Sequence, residues 1–205
     1  MPARAWRFES SLRHSVWPGR RYPSVVSRVD QTPGEPDGPV VLGSPTIHPD
    51  SFVAPNVHIY GSAVIEARAV VMFGVVIRAE LDRVVVGAGS NLQDNVVVHC
   101  DPGFPCIVGR NTVVGHAAVL HSVKVGDHCL VGIGALALTG SELGEGAWLA
   151  SGAVLPEGRS IPPWTLAMGI PAKPVRRLTD DEIERQRDGV ATYQRFLEAY
   201  KPLLG

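Results

Sequence analysis

Three of the seven histidines in this 205-residue chain, His99, His116 and His121, stand where a metal ion could be shared. His99 and His121 each directly follow a position of an aliphatic repeat, whereas His116 lies two residues after one. If the repeats stack as strands, the imidazoles of 99 and 121 point outward one above the other, about 5 Å apart, a spacing at which two rings can hold one ion. Three neutral imidazoles leave a coordination position free for water. That ligand set belongs to hydrolytic or hydrating zinc centres, where the bound water titrates near neutrality and supplies hydroxide. Imidazole accepts zinc, ferrous iron and cobalt alike, so the ligands do not select the metal. His14, His48, His58 and His128 have no such neighbours and read as solvated surface side chains.

The element that must position these residues is a rhythm of six. Ile47, Val53, Ile59, Ile65, Val71 and Ile77 form one run, and Val125, Val131, Ala137, Leu143, Leu149, Leu155 and Ile161 another. Between them the spacing holds through Val86, Leu92 and Val98, then Val108, Val114 and Leu120. A second small or apolar residue follows most of these by four, as at Ser51, Val57, Ala63 and Ala69. Hexapeptide self-similarity of this kind predicts a parallel β-helix in which three hexads build one triangular coil. Three extra residues between Ile77 and Val86, and four between Val98 and Val108, predict protruding loops, the second at DPGFPC, residues 101–106. With those loops removed, the hexads at Ile77, Val98 and Leu120 fall on one face, and those at Leu92 and Val114 on another.

Arg78, His99 and His121 therefore stack on one face, while Asp94, preceded by Gln93, occupies on the other face the place that His116 holds one coil later. A ligand on a different face of the same prism cannot reach the stacked pair. It can reach if a neighbouring protomer presents that face, and a threefold homotrimer satisfies the demand. Arg78 suits an ion pair between subunits, with Asp94 a candidate partner, and Glu80 and Asp82 suit the same interface role. Cys106, in the 101–106 loop, can approach the site, whereas Cys100 should face away from His99 by strand alternation.

Composition narrows the class further. Aromatics are 6% of the chain while Gly (22) and Pro (17) are frequent, which suits short strands with tight corners. A net charge of −1 offers no basic field for nucleic acid, and no apolar run is long enough to cross a bilayer. Three cysteines, an odd number without framework spacing, read as free thiols in a reducing compartment. Residues 1–40 form an Arg- and Pro-rich extension, expected to be poorly ordered. Arg4, Arg7, Arg13, Arg20, Arg21 and Arg28 precede any acid except Glu9. The location expected is cytoplasmic, or mitochondrial if this leader is a transit peptide. Residues 41–170 are read as the β-helix, its rhythm ended by Pro162 and Pro163, and 171–205 as a connector and a C-terminal helix. Thr179 is its expected N-cap, acids fill the first turn, and an apolar stripe runs from Ile183 to Tyr200.

The segments VVIRAELDRVVVGAGSNLQDNVVVH and VVGHAAVLHSVKVGDHCLVGIGA, and the closing MGIPAKPVRRLTDDE, resemble the γ-class carbonic anhydrase family over roughly residues 45–185. The resemblance implies an all-β, left-handed parallel β-helix with a C-terminal α-helix. It implies a homotrimer with zinc, or ferrous iron or cobalt, held by His99 and His121 of one chain and His116 of the next. Gln93 would orient the metal-bound hydroxide, and Arg78 and Asp94 would tie the interface, so that carbon dioxide is hydrated to bicarbonate. Three departures point to slow hydration. Arg78-Ala79-Glu80 replaces the usual Arg-Gly-Asp, the 101–106 loop holds only Asp101 as an acid, and Ala167 and Met168 stand where a Tyr is often found. Two other activities fit the same resemblance: a metal-dependent acyl-coenzyme A thioesterase, and a non-catalytic structural subunit of a larger assembly.

Overall fold

The computed structural model describes residues 43–204; the Arg-rich leader lies outside the described residues. The repeat becomes a parallel β-solenoid of about seven turns followed by one helix. Most hexads give a strand of two or three residues closed by a tight turn, while His58–Ile65 and Val76–Val86 are longer. Every sixth residue and the residue four after it point inward, so Ile77, Leu92, Leu120, Leu143, Leu149 and Leu155 stack in one core with the small residues Ala69, Ala118, Ala135 and Ala153. Burying a column of aliphatic side chains is the main stabilisation available to short strands that each have only coil-to-coil neighbours.

The strands form two sheets. One joins two faces of the prism, because Val76–Val86 runs round a corner: residues 76–78 pair with Val97–His99, and 84–86 with Cys106–Val108. The other sheet is the third face, running from Phe52–Val53 to Ala172–Arg177. The register expected from spacing holds: Ile77 pairs with Val98, Val98 with Leu120, and Leu92 with Val114.

Three expectations need correction. The extra residues between Ile77 and Val86 are not a loop; they lie within one continuous strand whose register shifts opposite Gly61–Ala63. Gly61 has φ +81°, and a Cβ there would sit 2.2 Å from the carbonyl oxygen of Ala79, so the crowded bend needs glycine. The rhythm does not stop at Ile161. Pro162 and Pro163 fall at a corner, outside the ladder, and Ala167 pairs with Leu149 one coil on. Cys106 is a strand residue with its thiol in the core, 0% exposed, and does not approach the site.

The helix, α1 (Asp180–Tyr200), starts as its sequence signals. Thr179 accepts from the Glu182 amide, the Glu182 carboxylate accepts from the Thr179 amide, and three acids occupy the first turn. It packs along the third face of its own chain. Leu197 is buried against Phe52, Ala54, Val70 and Met72. Gln186 donates to the Asn111 carbonyl at 2.6 Å, and Gln194 to the Arg68 carbonyl at 3.0 Å. Among the described residues, no helix is long and apolar enough to cross a membrane.

Candidate metal centre

Parallel pairing sets Arg78, His99 and His121 side by side in successive coils. The Nδ1 of His99 faces the Nε2 of His121 at 3.1 Å, with the ring centroids 5.0 Å apart. Behind His99, its Nε2 is 3.3 Å from Glu80 Oε1 and 3.3 Å from the Arg78 guanidinium, which itself donates to Glu80 through Nε at 2.8 Å. Burial by itself would raise the Glu80 carboxyl. The hydrogen bond from Arg78, a backbone hydrogen bond and the Arg78 and His99 charges outweigh it and hold the group below its ordinary range. The other carboxylate oxygen, Oε2, is buried without a partner among the described residues.

Behind His121, Nδ1 is 3.0 Å from Thr139 Oγ1, and Thr139 donates its one hydroxyl proton to Asp101 Oδ2 at 3.0 Å. Thr139 can then only accept from His121, an arrangement that favours the His121 proton on Nδ1 and a lone pair on Nε2 toward His99. With Glu80 accepting at Nε2, His99 likewise turns a lone pair inward. With Arg78 donating there instead, His99 Nδ1–H bonds His121 directly. The pair thus has one form closed by a proton and one form open to a cation.

The open form fits a divalent metal. Two nitrogens each about 2.0–2.1 Å from a tetrahedral zinc stand about 3.3 Å apart, close to the spacing found here. Outer carboxylates on the far ring nitrogens are the arrangement that orients metal-binding histidines. Among the described residues, one group of three His, Cys, Asp or Glu side chains brings its ligand atoms within 4.8 Å of one another: His99, Asp101 and His121.

His116 is not in that group. It sits on the third face, where its Nδ1 is 2.9 Å from Asp94 Oδ2 and its amide donates to Gln93 Oε1 at 3.2 Å. The Asp94 carboxylate beside Nδ1 favours the proton there and a lone pair on Nε2 of a half-buried ring. Gln93 Nε2 donates to Asn91 Oδ1 at 3.3 Å, and the buried Asn91 Nδ2 has no partner among the described residues. Within the protomer, therefore, Arg78 pairs with Glu80 rather than with Asp94. The candidate residues fall into two groups: Arg78, Glu80, His99 and His121 on one face, and Gln93, Asp94 and His116 on another.

Spacing left Asp101 without a partner and passed over Thr139 and Asn91. The signal for Thr139 lay two residues after the repeat position Ala137, the same offset that carries Asp94 and His116. The thiols take no part. Burial pushes Cys106 and Cys129 up to about 12, and raises Cys100.

A coil of hexads with an open, histidine-bearing face defines a hexapeptide-repeat protein with a candidate metal centre. No protein-family model matches the chain. It is similar to the carbonic anhydrase of Geobacillus kaustophilus, 40% identical over 160 residues covering 78% of this chain and 88% of that protein. It is also similar to gamma carbonic anhydrase 2, mitochondrial, of Arabidopsis thaliana, 36% identical over 146 residues covering 68% of this chain and 52% of that protein. Among solved structures, a hexapeptide transferase family protein from Anaplasma phagocytophilum matches with a TM-score of 0.74 and 32% identity, over 77% of this chain and 93% of that one. The chain belongs to the γ-class carbonic anhydrase-like family of hexapeptide-repeat proteins.

Proposed function

We propose that this chain hydrates carbon dioxide to bicarbonate, slowly, as a homotrimer whose sites each combine His99 and His121 of one protomer with His116 of the next. The observation that carries this reading is the facing pair of ring nitrogens 3.1 Å apart, His121 backed by the Thr139 hydroxyl at 3.0 Å and His99 by the Glu80 carboxylate at 3.3 Å. A zinc ion, or ferrous iron or cobalt, would supply a Lewis acid that lowers the pKa of water to near neutrality.

The chain's own residues supply the rest. Glu80 holds His99, and Asp94 holds His116 with Nε2 outward. Arg78 neutralises Glu80, so the carboxylate orients the ring without adding a free negative charge beside it. Gln93, 9% exposed, is anchored by Asn91 and the His116 amide, which fixes an amide group beside the third imidazole to orient the nucleophile. Val97 and Val119 pair in register two residues before each histidine, on the same outward side of the strand, and offer apolar surface suited to an uncharged substrate. The proton released must leave to solvent. Asp101, the single acid of the 101–106 loop, is engaged by Thr139, so no free carboxylate there is ready to carry it. This makes proton export the slow step.

Stopped-flow hydration by the zinc- or iron-loaded protein tests the proposal. The expected result is a rate above that of His99→Ala from a particle of trimer mass; equal rates would overturn it. Because the matched solved structure is a hexapeptide transferase family protein, a panel of acyl-coenzyme A thioesters is the competing assay. Turnover there, with none on carbon dioxide, would replace hydration by thioester hydrolysis.

A further inference from the structure

We infer that Thr139 and Asp101 form a positioning pair that fixes the tautomer of His121, and through it the affinity of the site for its metal. The inference rests on the reading of His121 as a ligand and adds two residues from a different coil and from the inserted loop.

The geometry is directional. A threonine hydroxyl has one proton, and a carboxylate is a stronger acceptor than a neutral imidazole nitrogen. Thr139 therefore donates to Asp101 Oδ2 at 3.0 Å and accepts from His121 Nδ1 at 3.0 Å. Asp101 Oδ2 is itself 3.6 Å from the same nitrogen, adding a favourable negative charge behind the ring.

Asp101 is held in place by its backbone. Its amide donates to Ser122 Oγ at 2.7 Å, its carbonyl accepts from the Phe104 amide at 3.0 Å, and a bridge joins Asp101 and Phe104. Thr139 is fixed in turn, because its carbonyl accepts from the Gly158 amide at 3.0 Å. The short turn after His99, residues 101–105, thus brings an acid behind the ligand ring, where an outer hydrogen bond sets the ring's orientation and basicity.

The test uses the full chain with nitrogen-15-labelled histidine. In the metal-free wild type, imidazole nitrogen shifts should report His121 protonated at Nδ1. Thr139→Val with Asp101→Ala removes both acceptors. It should move His121 toward the Nε2–H form and weaken zinc binding by about 10- to 100-fold, the usual loss for an outer partner. Thr139→Ser, which keeps the hydroxyl, should match wild type in both readouts. An unchanged tautomer and unchanged zinc affinity in the double variant, with a wild-type melting temperature, would overturn the inference. If zinc affinity is also indifferent to His99→Ala, the metal-site reading fails instead, and the nitrogen shifts still decide whether Thr139 and Asp101 set the tautomer.

Discussion

Two faces of the same coil are treated in opposite ways. The third face is covered by α1: Leu197 fills the space over Phe52, Val70 and Met72, and two glutamine side chains cap carbonyls at the corners. The face of His99 and His121 has no such cover among the described residues. Tyr60 and Val97 remain exposed at 53% and 38%, and Glu80 keeps an unpaired oxygen. A chain that satisfies one face with its own helix and leaves apolar and ligand-bearing groups on another has completed its packing but not its chemistry.

That contrast can be broken from either side. The largest expected effect is on the bare face: His99→Ala should abolish tight zinc binding, measured by titration against a chelator, while the melting temperature of the metal-free protein changes little. On the covered face, Leu197→Ala should cost about 2–5 kcal/mol in urea unfolding, with zinc affinity in the folded protein unchanged. Loss of zinc binding there would mean that the faces are coupled. Asp94→Asn sharpens the comparison, because Asp94 lies on the strand face that α1 covers yet holds a proposed ligand. About 10- to 100-fold weaker zinc binding is expected, with little loss of stability.

The smallest effect concerns how the covering helix begins. Thr179→Ala should cost about 1 kcal/mol. The Glu182 carboxyl is held down at about 2 by the Arg176 hydrogen bond first and the Thr179 amide second. A carboxyl depressed by folding stabilises fully above its ordinary pKa, and the contribution fades as acid protonates it. Stability should therefore fall between about pH 4.5 and pH 2, and the slope should be shallower in Glu182→Gln when unfolding is followed by helix signal.

What spacing alone disclosed was backbone register. Counting hexads placed Arg78, His99 and His121 in one column because inward aliphatic residues tolerate no slip of register. Thr179 marked the helix start because an N-cap is chemistry local to a few residues. What stayed hidden was side-chain partnership between coils. Nothing in the spacing could show Thr139 reaching Asp101 across 38 positions, or Glu80 turning back on His99 from a strand that carries extra residues. Cys106 is different: it stands two before the repeat position Val108, and strand alternation alone directs it inward. The prolines at 162 and 163 misled because proline excludes only ladder positions, and a corner of the coil is not one.

The final strand, Ala172–Arg177, runs antiparallel to Thr165–Gly169, whereas the other pairings among the named strands are parallel. A further copy offering its coils in the common direction would find the terminal rung reversed on that side. End-to-end addition, the route by which stacked repeats grow into fibrils, is thereby blocked there.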